Sequence, residues 1–118
     1  MRILILGSKG MLGSICMQYF SNSKHKVNVF NRYFSFDDYD EYFTELKSYD
    51  PEIIINCIGK IKQKTDNFSD LMSVNAVFPN LIALHKPEKS FLIQPSTDCV
   101  FSGDLKNEFY EFDDLRDA

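Results

Sequence analysis

Two rhythms of apolar and polar residues alternate along the chain. Arg2-Ile3-Leu4-Ile5-Leu6 is apolar at successive positions, the pattern of a strand buried on both faces in the middle of a parallel sheet. The period then changes: Leu12, Ile15, Cys16, Tyr19 and Phe20 recur at helical spacing. They predict a helix over 11–21 that stops at Ser21-Asn22-Ser23. Lys26-Val27-Asn28-Val29-Phe30 predicts a second strand, and Tyr33 to Phe36 a short edge strand. Ser35 or Asp37 is placed to cap a helix over 38–48 whose inner face carries Tyr42, Phe43 and Leu46. Pro51 stops that helix, and Ile53-Ile54-Ile55 predicts another buried strand. After a polar loop, Ser69 to Leu84 reads as a long helix with a kink or break at Pro79. Phe91-Leu92-Ile93 is the last strand before Pro95.

Strands and helices thus alternate as β-α-β-β-α-β-α-β. That order predicts an α/β fold, a Rossmann-type doubly wound parallel sheet with helices on both faces, ending after about five strands. Neither an internal repeat nor a linker divides the 118 residues, which are expected to form part of one domain. Hydrophobic residues make up 44% and charged residues 25%, with 13 basic against 17 acidic side chains. This balance excludes a disordered or low-complexity chain and a strongly basic nucleic-acid binder. No stretch approaches the ~20 apolar residues of a membrane span, and Ile3 to Ser8 is too short for a signal-peptide core. Cys16, Cys57 and Cys99 are widely spaced and match no metal or redox motif. Buried thiols in a reducing cytoplasm are expected.

The chemistry-bearing feature is Gly7-Ser8-Lys9-Gly10-Met11-Leu12-Gly13, set between the first strand and the first helix. Glycine permits the unusual turn, lets a diphosphate approach the main chain, and allows the helix to pack tightly on the strand. The helix N-terminus adds unpaired N–H groups and a partial positive charge. Gly7, Lys9, Gly10, Met11, Leu12 and Gly13 are therefore candidate dinucleotide contacts. The G-x-x-G-x-x-G spacing is typical of short-chain dehydrogenases/reductases, and no Gly-Lys-Ser/Thr follows that would make a P-loop. An acidic residue ending the second strand would select NAD, whereas a basic one suits the extra phosphate of NADP. Here the positions read Phe30-Asn31-Arg32. Lys9 and Arg32, with Ser8 or Asn31 beside them, favour NADP over NAD, although either cation could equally be a solvated surface charge.

Further motifs follow in order: Ile55-Asn56-Cys57-Ile58-Gly59, Val74-Asn75-Ala76 with Pro79, and Pro95-Ser96-Thr97-Asp98-Cys99-Val100-Phe101-Ser102-Gly103. Together with the glycine loop they resemble the extended short-chain dehydrogenases/reductases, specifically the dTDP-4-dehydrorhamnose reductase-like sugar-nucleotide reductases. The resemblance implies that Cys57, Ile58 and Gly59 lie beside the nicotinamide ribose and diphosphate. It implies that Asp37 contacts adenine, although helix capping accounts for that residue as well. Asn75 becomes a structural brace. Thr97 matches the hydroxyl that polarises the substrate carbonyl in an oxyanion-type role. The short basic run Lys60-Ile61-Lys62-Gln63-Lys64 is either a contact for a nucleotide diphosphate or a solvated loop. Cys99 stands where the rhamnose-pathway reductases usually carry Tyr.

The same resemblance implies a Tyr, the proton donor, with a Lys four residues later. The acidic, aromatic segment Gly103 to Ala118 lacks that pair; Tyr110 is followed four positions on by Asp114, and Tyr49 by Ile53. The expectation is an N-terminal portion of a cofactor domain, without the substrate lobe and inactive as it stands. The expected partners are a dinucleotide and, in the full-length family, a nucleotide sugar. Two other readings are a non-catalytic NAD(P)-binding module and an interaction-only remnant. The latter would self-associate through an uncovered sheet edge.

Overall fold

The computed structural model of the chain describes residues 1–61 and 64–96. Four strands make one parallel sheet in the order β2-β1-β3-β4. β1 (Arg2–Leu6) pairs with β2 (Lys26–Phe30) on one side and β3 (Ile53–Asn56) on the other, with Ile3 opposite both Val27 and Ile53. β4 (Phe91–Ile93) extends the sheet beyond β3, Ile53 facing Phe91. This is the α/β Rossmann-like arrangement that the alternation of elements predicts.

Successive side chains of a strand point to opposite faces, and the two faces of β1 serve two cores. Leu4 and Leu6 join Phe30, Ile54, Tyr42, Phe43, Leu46, Phe78 and Ile82 in the larger one. It lies under α2 (Tyr39–Ser48) and α4 (Phe78–His85). Ile3 and Ile5 join Ile55 on the other face, where Cys16, Met17 and Phe20 of α1 (Met11–Ser21) pack. The continuous apolar character of β1 is thus the consequence of having helices on both sides.

Two expectations need correction. Tyr33 to Phe36 is not an edge strand, so the described residues hold four strands. The segment leaves β2 extended, but Phe34 turns inward, its ring 4.7 Å from Phe78 and 5.4 Å from Tyr42. Burying that ring over the core outweighs pairing with the free edge of β2. A 3-10 turn at Phe36–Asp38 then leads into α2; the Ser35 side chain caps that turn by accepting from the Asp37 N–H, whereas α2 itself starts after Asp38 with no side-chain cap from Ser35 or Asp37. The long helix, expected to kink or break at Pro79, instead changes its winding just upstream. It runs as α3 (Phe68–Met72), a π turn over Ser73–Val77, and α4, with Pro79 in the first turn of α4. Proline offers no N–H and its ring collides with the carbonyl four residues back in an α-helix. In the π turn the Phe78 N–H reaches the Ser73 carbonyl instead.

Candidate functional site

The glycine turn carries the site. Gly7 adopts a left-handed φ of 74°, which an L side chain rarely takes. A Cβ there would also stand 2.8 Å from Ile58 Cγ1 and 3.2 Å from the Cys57 carbonyl carbon. The end of β1 and the loop after β3 are thereby held in contact. The Gly10 N–H donates to the Gly7 carbonyl at 3.1 Å, closing the turn. Gly10 then begins α1 with no side-chain cap and no acidic residue in the first turn. The first N–H groups of that helix are left for an anion. Gly13 has a different task, packing against the Gly7 backbone so closely that a Cβ would lie 2.1 Å from the Gly7 oxygen.

Two clefts open at the carboxyl end of the sheet, on either side of the point where strand order reverses between β1 and β3. The first, of about 460 Å³, is walled by Gly7, Lys9, Gly10, Asn31, Arg32 and the aromatic segment Tyr33 to Phe36. Asn31 is tied to the glycine turn: the Ser8 N–H donates to Asn31 Oδ1 at 3.1 Å, and Asn31 Nδ2 donates to Ser8 Oγ at 2.8 Å. Lys9 is exposed and forms no ion pair among the described residues. Arg32 is engaged instead. Its guanidinium meets Glu45 at 2.7 Å, Asp38 at 2.9 Å and Glu41 at 3.3 Å. The hydrogen bonds to Glu45 and Asp38 push its proton affinity above the ordinary arginine range.

The second cleft, of about 530 Å³, is lined by Leu12, Asn56 to Ile61, Asn75, Ala76, Pro79, Asn80 and Gln94 to Ser96. Ile58, Gly59 and Lys60 belong to both clefts and form the seam between them. That seam is braced from the long helix. Asn75 accepts from the Lys60 N–H at 2.9 Å and donates to its carbonyl at 2.7 Å, while the Lys60 ammonium meets Asp70 at 3.1 Å. The buried Asn56 holds the start of the same loop, donating to Gln94 and accepting from the Ile58 N–H. Two cysteines that look unrelated in sequence come together, with Cys57 Sγ 3.9 Å from Cys16 Sγ. Burial, then the neighbouring thiol, pushes the Cys57 thiol up to about 12.

The structure therefore gathers Gly7, Lys9, Gly10, Leu12, Asn31, Arg32, Cys57, Ile58 and Gly59 around the two clefts. Gly13 supports the turn from below, and Met11 is exposed on the first turn of α1 without lining either cleft. Asp37 is exposed and also lines neither. Thr97, Cys99, the middle of the basic run and the acidic tail lie outside the described residues; Ser96, the residue before Thr97, lines the second cleft. Sequence reasoning missed Tyr33, Phe34 and Phe36 as cleft walls. Three aromatics just after a strand that ends beside a glycine turn were the available signal.

Fold and clefts together define a doubly wound α/β domain of the Rossmann type. The family described as the RmlD substrate binding domain matches residues 1–117, and the chain belongs to it. Among solved structures, a dTDP-4-dehydrorhamnose reductase from Clostridium acetobutylicum is 26% identical with a TM-score of 0.75, over 97% of this chain and 42% of that one. A hypothetical dTDP-4-dehydrorhamnose reductase from Sulfolobus tokodaii is 23% identical with a TM-score of 0.79, over 96% of this chain and 45% of that one. The Bacillus anthracis dTDP-4-dehydrorhamnose reductase, solved in complex with NADP, is 23% identical with a TM-score of 0.74, over 89% and 39%. The chain spans about two-fifths of the length of these structures. Among curated proteins no match is found.

Proposed function

We propose that the chain is the dinucleotide-binding portion of a reductase of the dTDP-4-dehydrorhamnose reductase type, with a nucleotide-linked 4-keto-6-deoxy sugar as substrate and NADP as cofactor. The supporting observation is the pair of joined clefts flanking a glycine turn at the strand-order switch, where open α/β sheets take their ligands. The Gly7–Gly10 backbone and the uncapped start of α1 fit a diphosphate. The first cleft, with Asn31 and the aromatic wall, suits adenosine; the second, with Cys57, Ile58 and Gly59, suits the nicotinamide side. Lys9 is the cation open to a 2′-phosphate. When bound, the reduced dinucleotide supplies a hydride to the sugar carbonyl, and Thr97 is the hydroxyl expected to hydrogen-bond the carbonyl oxygen.

Residues 1–118 contain no Tyr with a Lys four positions on. A polypeptide of these residues is therefore expected to bind the dinucleotide without turnover, because catalytic groups that act as a unit fail together. Calorimetric titration with NADPH and NADH tests the reading. Saturable binding is expected, lost in Gly10→Asp, whose carboxylate would face the diphosphate. A folded protein that binds neither dinucleotide would overturn it. Steady-state NADPH oxidation with such a sugar nucleotide, above background, would overturn the expected lack of turnover.

A further inference from the structure

We propose that Cys16 and Cys57 form a redox-modification site: a low-molecular-weight disulfide oxidises the two thiols to a Cys16–Cys57 bond, and closure of that bond weakens dinucleotide binding at the second cleft. The effect on binding rests on the dinucleotide reading above, whereas the bond itself does not.

Placement carries the argument. Cys16 lies on α1 and Cys57 directly after β3, 41 positions apart, yet their sulfurs stand 3.9 Å from each other on the α1 face of the sheet. A disulfide bond is about 2.05 Å long, so the two sulfurs must close by about 1.9 Å. Both thiols are free and only half-buried, which leaves the pair within reach of a small reagent. Burial and the neighbouring sulfur push the Cys57 thiol up, so Cys16 is the attacking thiolate. Its sulfur takes one half of the reagent, breaking the reagent's S–S bond and releasing one thiol. Cys57 then gives its proton to solvent and attacks the Cys16 sulfur, expelling the second thiol. Two protein thiols are oxidised and one reagent disulfide is reduced to two thiols.

Cys57 also lines the second cleft, beside Ile58 and Gly59 of the seam. The helix cannot advance to meet it, because Gly13, one turn before Cys16, is already pressed against the Gly7 backbone. Whatever rotation of the two side chains does not supply must come from Cys57 and the residues after it. Ile58 stands against Gly7, so a shift there reaches the glycine turn as well as the cleft. By linkage, a dinucleotide in the cleft opposes closure by the same factor that closure weakens the dinucleotide.

The test incubates the full chain with oxidised glutathione, removes the reagent, and reads unreduced tryptic peptides by mass spectrometry. Residues 10–24 should be found joined to residues 48–60, the peptides that hold Cys16 and Cys57. Residues 90–106, which hold Cys99, should stay unjoined. Calorimetry should then show NADPH bound about tenfold more weakly than by the reduced chain, with the affinity restored by dithiothreitol. In a buffer of reduced and oxidised glutathione, saturating NADPH should shift the ratio of dithiol to disulfide about tenfold toward the dithiol. Cys16→Ser removes the attacking sulfur and should keep its affinity through the same treatment. A loss of affinity in that variant would assign the effect to glutathione on another cysteine and overturn the inference. Should Cys16→Ser fail to fold, the reduced and oxidised forms of the unaltered chain carry the comparison. Glutathione adducts without the joined peptide, or a joined peptide with unchanged NADPH affinity, overturns the inference. A joined peptide in a chain that binds neither dinucleotide when reduced would uphold the site and overturn the functional reading instead.

Discussion

Replacing Gly13 by alanine separates what the glycine turn does for the fold from what it does for a ligand. A Cβ at position 13 would lie 2.1 Å from the Gly7 oxygen, 2.8 Å from its carbonyl carbon and 2.8 Å from Ser8 Cα, all backbone atoms. No flexible side chain can yield, so α1 must withdraw from the end of β1 by most of an ångström. Overpacking of this kind costs about 1–3 kcal/mol, and a backbone neighbour puts it at the upper end. Alanine returns about 1 kcal/mol of helix propensity. The net loss is about 2 kcal/mol, which at a urea dependence of about 1.5 kcal/mol per molar lowers the unfolding midpoint by about 1.3 M. Gly10→Ala is the matched control. Its Cβ would meet only the Gly7 oxygen, at an ordinary 3.5 Å. The cost to stability is then about 1 kcal/mol or less, from the weaker N-cap. The added methyl nevertheless stands on the turn proposed to take the diphosphate, so on that proposal Gly10→Ala should lose NADPH affinity out of proportion to stability. Urea unfolding followed by circular dichroism, with calorimetry for binding, reads both. A Gly13→Ala midpoint within about 0.3 M of wild type would refute the packing argument.

Two further outcomes are expected. Asn75→Ala removes both hydrogen bonds to the Lys60 backbone; at about 1 kcal/mol each or less in this exposed setting, it should lower stability modestly and speed hydrogen exchange at the Lys60 amide, and unchanged exchange would contradict the brace. At pH 8 Cys57, its thiol pushed up to about 12 by burial and the neighbouring thiol, should have a thiolate population well below that of the denatured chain. Iodoacetamide labelling read by mass spectrometry should be correspondingly slow in the fold, and equal rates would show the thiol is not buried as described. The sign for stability follows: the fold favours the neutral thiol, so its contribution is intact below pH 9 and is lost as pH rises toward 12.

Much of the architecture was legible because it depends on patterns that tertiary context rarely overrides. β1 had to be central because Ile3, Leu4, Ile5 and Leu6 are all apolar, and they are all buried. The first helix falls on 11–21 as its spacing requires. Tyr33 to Phe36 misled because aromatic residues suit a strand and a core wall equally. Only the packed neighbours Tyr42 and Phe78 decide, and those are distant in sequence. The same limit hid the Arg32 cage. Nothing in the spacing of Asp38, Glu41 and Glu45 points to Arg32; only the fold brings the three carboxylates to its guanidinium. Cys16 and Cys57 likewise became neighbours only through the pairing of β1 with β3 and the return of α1 across them.

The π turn unites these observations. An uninterrupted α-helix over 68–85 would bring the Pro79 ring against the Asn75 carbonyl, and the widened turn before Phe78 relieves that conflict. Phe78 stays in the core beside Tyr42 and Phe34, while Asn75, within the widened turn, faces the loop after β3. Its side chain clasps both backbone groups of Lys60 there, at the seam shared by the two clefts. Widened turns of this kind recur at functional sites because they re-aim a side chain without ending a helix. The proline that looked like a helix break in sequence is thus compatible with a brace. What it preserves is the position of residues 58–60, against which a bound dinucleotide would be divided into its two halves.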